Sequence, residues 1–272
     1  MCMENKWQSG IFGIAAGVHG HGILSMPDGS QADGSMTSAA PTSPVKAGNA
    51  SLAAMADRFA DRLKSGDIST CSAHTEYDTG SNALVRIMPT CLLCYEQEQS
   101  GKLDRKAAIE AVHAAAALTH AHLRSKIACG LYYFMVAAIL DATADASLID
   151  LLQRGVTEGW KFYALQNTDP SELAHYSHLL DLRYFAALDK SAIPSTGYVV
   201  HALEAAIWSL TTTDNYVDCT LRAVDLGSDN SSAAAIAGGL AGLYYGVEDI
   251  PSGWLQSIAQ KDWICTMCEH MV

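Results

Sequence analysis

The residues of this 272-residue chain best suited to chemistry lie in short polar loops that run into small-residue or apolar segments. The clearest is 224–246, where Val-Asp-Leu-Gly-Ser-Asp-Asn-Ser-Ser leads into an Ala- and Gly-rich stretch. Asp229, Ser231 and Ser232 are oxygen donors placed either to cap the following helix or to ligate a hard cation. The plainer reading is a capped, buried helix whose Ala and Gly at 233–242 let neighbours approach closely. Asp33-Gly-Ser-Met-Thr offers the same residue types earlier, and the loop 67–82 adds His74, Glu76 and Asp78. Two Cys pairs have metal-ligand spacing, Cys91-Leu-Leu-Cys94 and Cys265-Thr-Met-Cys268, the second followed by His270. A shared zinc would need the C-terminal tail to fold back on the Cys91 segment; the competing reading is free thiols on amphipathic turns.

Those residues need helices to hold them. Residues 10–22 read as a small-residue helix entering a Gly/His loop, a partner for the helix after Asp229. Residues 23–50 read as loop from their Ser, Gly, Pro and Thr content. Leu52 to Lys64 is amphipathic, with Leu52, Met55, Phe59 and Leu63 on one face. Pro89 interrupts any single helix over Leu84 to Cys94. Helices follow at 103–122, 125–142, 148–160, 172–188, 201–210 and 215–223. About nine helices, with neither a hairpin signal nor an alternating strand, describe an all-α protein built as one orthogonal helical domain over 1–272.

Composition agrees. Hydrophobic residues make up 49% and aromatics only 8%, so alanine-rich helices supply the core. A net charge of -12 and a pI near 5.1 disfavour a nucleic-acid partner, and the chain carries no dense Lys/Arg run. An anionic small ligand remains open, because helix N-termini hold phosphate even in acidic proteins. The apolar stretch Ile127 to Ala142 is too short to span a bilayer, and the N-terminus lacks the layout of a secretory signal, so the expectation is a cytoplasmic protein without a membrane partner.

Several of these pieces resemble, in order, the ADP-ribosylglycohydrolases, the family of dinitrogenase reductase-activating glycohydrolase and the J1 crystallins. The matching segments are Gly13-Ile-Ala-Ala-Gly17, Asp33-Gly-Ser, Gly80-Ser-Asn-Ala-Leu-Val-Arg-Ile-Met-Pro89, Leu118-Thr-His-Ala-His122, Gly197-Tyr-Val-Val-His-Ala-Leu-Glu-Ala-Ala-Ile-Trp208, and Asp225-Leu-Gly-Ser-Asp-Asn-Ser-Ser-Ala-Ala-Ala-Ile-Ala-Gly238. The resemblance spans about 8–257. It implies an all-α domain of the ADP-ribosylglycohydrolase type that binds ADP-ribose or an ADP-ribosylated protein. Active members cleave the glycosidic bond beside two Mg²⁺ or Mn²⁺ ions.

The resemblance places ligand-binding roles on Ser81, Asn82, His120, His122 and Tyr198, the last as a face for adenine stacking, and catalytic roles on Asp33 and Asp229. The ordinary readings are cleft or core histidines, helix-start packing for Tyr198, and a structural cap or salt bridge for Arg86. The sequence departs from the family's metal clusters: Ala32, Gly34 and Ser231 stand where ligating side chains are expected, and Val18 replaces an acidic residue. At most one Mg²⁺ is then expected, held by Asp33, Ser35, Asp229 and Ser232 with water, since a neutral hydroxyl is a weak ligand for a hard ion. Two functions stay open, a hydrolase working through an altered, metal-poor site and a pseudoenzyme that binds ADP-ribose without cleaving it. His19, His21 and His201, where the family has other residues, leave a changed reaction as a third.

Overall fold

A computed structural model describes residues 8–14, 78–143, 146–227 and 229–270. The chain begins with α1 (residues 8–14), then α2 (Asn82–Val85), α3 (Met88–Gln99), α4 (Arg105–Ala117), α5 (Leu123–Leu140) and α6 (Leu148–Leu165). There follow α7 (Pro170–Ala174), a 3-10 turn at Ser177–Leu180, α8 (Leu182–Ala186) and a second 3-10 turn at Lys190–Ala192. Last come α9 (Val199–Thr211), α10 (Tyr216–Asp225), α11 (Asn230–Tyr245), a 3-10 turn at Val247–Asp249, α12 (Ser252–Ser257) and α13 (Lys261–His270). The protein is all-α; among the described residues the sole β pairing is one bridge between Gly80 and Tyr198.

The core forms around α5, which is apolar on every side. Ile127, Cys129, Leu131, Tyr132, Tyr133 and Met135 are all inaccessible or nearly so, as expected of a helix covered on all faces. α5 is long and apolar enough to cross a membrane by length and composition, yet 89% of it is buried inside the fold. α4 and α6 pack most closely on it, and α2, α3, α7, α9 and α11 complete its surroundings. Close approach of α6 depends on glycine: a Cβ at Gly155 would sit 2.7 Å from the Met135 Cα. α1 docks on α11 in the same way. A Cβ on Gly13 would overlap the Gly238 carbonyl, one on Gly242 would overlap that of Ser9, and the Tyr216 hydroxyl donates to the Gly13 carbonyl at 2.7 Å. The small-residue pairing expected between the first helix and the helix after Asp229 is therefore present over residues 8–14. The amphipathic segment 52–64 and the loop 23–50 lie outside the described residues.

Two expectations about helix boundaries need correction. The helix read over 103–122 stops at Ala117, because the Arg86 guanidinium takes up the Ala115 and Ala116 carbonyls (3.0 and 3.4 Å) and His122 starts a new helix by capping the Arg124 amide. The continuous helix read over 172–188 is broken into α7, a 3-10 turn and α8. Leu173, Tyr176, Leu179, Leu182 and Phe185 are all buried and recur every third residue. A 3.6-residue helix would rotate that stripe off the core, whereas tighter 3-10 turns keep it facing inward. Beyond the motif-bearing stretch, α13 places Cys268 in the core, as one domain over the whole chain requires. Pro89 behaves as expected, sitting in the first turn of α3 after the short α2 has ended.

Candidate functional site

Four chain segments meet at one end of the bundle. The turn before α2 runs against the loop before α9: the Val199 amide donates to the Thr79 carbonyl and the Ser81 amide to the Gly197 carbonyl, both at 2.9 Å. The loop before α11 joins through the Asp229 amide, which donates to the Ser195 carbonyl at 3.2 Å, and the Ser195 hydroxyl, which donates to the Gly227 carbonyl at 3.1 Å. The fourth segment is 118–122, between α4 and α5.

Ser81 is the centre of this junction. Its Oγ lies 3.1 Å from Asp229 Oδ2 and 3.1 Å from Ser232 Oγ. A hydroxyl has one proton to give, and a carboxylate is the stronger acceptor, so the relay runs from the Ser232 hydroxyl to Ser81 and from Ser81 to Asp229. Ser81 and Ser232 are buried while Asp229 is half-buried beside the exposed Gly197. A Cβ on Gly197 would lie 3.6 Å from Asp229 Oδ2, so glycine leaves the carboxylate open at that edge. Asp229 does not cap α11 through its side chain, contrary to the capping role read from sequence. That carboxylate instead faces Ser81.

His120 forms the next wall. Its ring is buried, Nδ1 is 2.9 Å from Thr119 Oγ1, and Nε2 would be 3.0 Å from a Cβ on Gly80. Glycine at 80 is what allows the imidazole to close on the Ser81 turn. Burial and then the Arg86 charge push the His120 pKa below its ordinary value, with Asp78 pulling the other way. The ring is therefore neutral at neutral pH.

The other predicted ligand residues divide. Asn82 opens α2 and is exposed. His122 is half-buried and already employed, with Nδ1 accepting from the Arg124 amide at 3.2 Å. Tyr198 is half-buried, with the Arg124 guanidinium carbon 5.7 Å from its ring centre and the His201 ring edge-on at 4.9 Å. Arg124 itself is buried and clamped by Glu172 through two bonds of 2.9 and 2.7 Å. Of its two faces, then, Tyr198 has at most one for a stacked base. His201 Nδ1 pairs with the Thr196 hydroxyl at 2.8 Å, and burial lowers its pKa.

Asp33 and Ser35 lie outside the described residues, as do His19, His21, His74 and Glu76. The described part of the expected metal set is one carboxylate, Asp229, and the hydroxyl of Ser232. A hard divalent ion wants several anionic oxygens, so these residues do not fit one by themselves. Among the described residues no group of three His, Cys, Asp or Glu side chains comes together to hold a metal. The shared zinc at the two Cys pairs is excluded on the same ground. Cys91 and Cys94 are buried on α3 as free thiols, and burial pushes both upward in pKa, which makes them poor thiolate ligands.

Sequence reasoning gave no role to Thr119 or Glu172 and noted Arg124 only as a polar group on an apolar segment. The Arg124 charge, among the few polar groups on the apolar segment that follows, was the available signal; Glu172 lies in a polar stretch and gave none.

Comparison with known proteins adds to this geometry. A sequence profile for ADP-ribosylglycohydrolase matches residues 18–272. The chain is 42% identical over 82 residues to the ADP-ribosylarginine hydrolase Tri1 of Serratia proteamaculans (strain 568), covering 30% of this chain and 22% of that protein. It is 26% identical over 193 residues to the ADP-ribosyl-dinitrogen reductase glycohydrolase of Rhodospirillum rubrum, covering 71% of this chain and 55% of that one. The match thus spans about a fifth of the first relative and about half of the second. A solved structure described as an ADP-ribosylglycohydrolase-related protein complex superposes with a TM-score of 0.61 at 18% identity, covering 99% of this chain and 97% of that one.

Proposed function

Because the chain belongs to the ADP-ribosylglycohydrolase family, we propose that it binds the ADP-ribosyl group of a modified protein at the Ser81–Asp229–Ser232 junction and hydrolyses the glycosidic bond there. The observation that carries this reading is the relay through Ser81, whose hydroxyl links a turn before α2 to a carboxylate and a hydroxyl about 150 residues on. An aimed, half-buried carboxylate at an open glycine edge has two uses in glycosidic cleavage. It takes a proton from the attacking water, or it stabilises the oxocarbenium-like centre as the bond breaks. The leaving side chain departs with a proton. ADP-ribosylated arginine is the substrate class to test first, by analogy with the Serratia relative.

The residues around Asp229 divide the remaining work. Ser81 orients the carboxylate, Gly197 keeps its outer edge clear, and His120 walls the Ser81 turn. Family members draw on divalent ions to polarise water and neutralise phosphate. Asp33 and Ser35 are the residues that would have to complete such a site with Asp229 and Ser232. The whole chain acts in this reading as one domain.

A second reading has its own support. Asp229 is the single carboxylate in the Ser81 relay, and Ser231 stands where a second is expected, so the protein would bind ADP-ribose as a pseudoenzyme. Two measurements separate the readings. Thermal stabilisation by ADP-ribose supports both, and its absence overturns both. Release of ADP-ribose from ADP-ribosylated arginine, abolished by Asp229→Ala, supports hydrolysis; no release by a protein that does bind leaves the pseudoenzyme.

A further inference from the structure

We propose that Arg86 and Thr119 act as positioning residues that lock His120 in the Nε2–H tautomer, so that the ring presents a hydrogen-bond donor to an oxygen of the ligand bound against the Gly80–Ser81 turn. The argument begins with Arg86, whose guanidinium can only donate. Its terminal nitrogen lies 2.6 Å from Thr119 Oγ1, so that oxygen accepts. The Thr119 hydroxyl proton then needs its own acceptor. His120 Nδ1 is 2.9 Å away, and among the described residues Thr119 Oγ1 has no other acceptor within hydrogen-bond distance. Donation from Thr119 to Nδ1 satisfies every group and leaves the ring proton on Nε2.

The opposite tautomer is worse on each count. An Nδ1–H would fill both lone pairs of Thr119 Oγ1, one from Arg86 and one from the ring, and leave the Thr119 proton without an acceptor, while Nε2 would become a bare acceptor. The charges facing the ring are Arg86 and Asp78. Burial with the Arg86 charge keeps the ring from taking a second proton, against the pull of Asp78. Nε2 makes no hydrogen bond among the described residues, and it sits at the Gly80 backbone one residue from Ser81. A donor there suits a ribose hydroxyl or a diphosphate oxygen. This last step rests on the function proposed above; the tautomer does not.

The test is built so that the two can fail separately. Nitrogen-15 imidazole spectra of the ligand-free protein, with His120 assigned by His120→Gln, should show a pyrrole-type Nε2 and a pyridine-type Nδ1. Thr119→Val keeps the shape and removes the hydroxyl, and the His120 signals should move toward a tautomer mixture; Thr119→Ser should restore the wild-type pattern. Arg86→Lys should give a partial shift, which separates relay from folding because the charge stays near the end of α4. Titration with ADP-ribose should shift the wild-type Nε2 proton, and Thr119→Val should bind about tenfold more weakly, the scale of one lost hydrogen bond. A wild-type ring protonated on Nδ1, or a Thr119→Val spectrum identical to wild type, overturns the relay. The expected spectra in a protein that ADP-ribose does not perturb overturn the functional reading while the relay stands.

Discussion

Polar groups in this fold are handled in two different ways. In the layer formed by α3, α4 and α5, half-buried and exposed carboxylates are answered by a cation or a phenol. Glu98 accepts from Arg105 Nε at 2.6 Å and from the Tyr133 hydroxyl at 2.5 Å, and Arg105 lies over the Tyr133 and Phe134 rings at 5.8 and 5.3 Å. Tyr95 donates to Asp141 at 2.6 Å nearby. At the cleft end, Asp229 accepts a single side-chain bond among the described residues, from the neutral Ser81 hydroxyl. A carboxylate answered by a cation and a phenol has little left to offer a substrate. One answered by a hydroxyl keeps its charge and an open edge. On the function proposed above, the paired charges between α3, α4 and α5 serve the fold, and the less-answered carboxylate of Asp229 serves the ligand.

The sharpest way to break that contrast is to remove one acid from each end. Asp229→Ala should lower release of ADP-ribose by about 10³-fold, within the range for a positioned proton-transfer group, while its melting temperature stays close to wild type. Retained turnover would falsify the role given to this carboxylate. Glu98→Ala should do the reverse. It strips Arg105 and Tyr133 of a shared partner and should cost ~2–3 kcal/mol of stability, the scale of hydrogen bonds to a charged group. Its ADP-ribose affinity, measured well below the melting point, should match wild type; a large affinity loss would dissolve the division of labour.

His113 sharpens the same point through pH. It sits between α4 and α6 with Nε2 2.7 Å from the Tyr163 hydroxyl, and burial pushes its pKa down to about 4. Tyr163 is inaccessible and must donate, so the ring has to remain neutral to accept. The unfolded chain takes up a proton near pH 6.5, the ordinary value. Between about 6.5 and about 4 the unfolded state therefore binds more protons, and stability falls as the pH is lowered through that window. Chemical denaturation across that range should show this slope in the wild type and a shallower one in His113→Gln. An equal slope in both would remove His113 from the acid-sensitive core.

A smaller effect is expected at Ser81. Ser81→Ala leaves the backbone bond to Gly197 in place and removes the donor to Asp229. Turnover should fall about tenfold, the equivalent of one hydrogen bond, with stability almost unchanged because Asp229 is half-exposed to water.

How much of this could be read in advance depended on whether a signal was local. The all-α class followed from helical periodicity, and the docking of α1 on α11 followed from Gly and Ala at both faces. The helix expected over 172–188 gives way because its apolar stripe recurs every three residues, a period that looks helical until the core requires all of it on one side. His120 and His122 were indistinguishable as a pair on one supposed helix. The fold separates them, since His122 caps α5 while His120 closes on Gly80. Asp229 and Ser232 stand out as oxygen donors in a polar loop and Ser81 through a family motif, but their common hydrogen-bond relay is a tertiary fact that no window of sequence contains.

The finest test concerns Ser231. It is half-buried in the first turn of α11, beside Asp229 and one residue before Ser232. Ser231→Asp would place a second carboxylate at a helix N-terminus, where the backbone amides favour negative charge by ~0.3–1 kcal/mol, so the variant should fold at least as well as wild type. The two carboxylates would repel each other unless a cation lies between them, and that gain would be conditional on metal. Mg²⁺ or Mn²⁺ should then raise the melting temperature of Ser231→Asp more than that of the wild type. An equal rise in both would mean that Asp33 and the other early residues already complete an ion site without Ser231. The serine would then be a neutral replacement, and the poverty of charge at this end of the bundle would have nothing to do with metal.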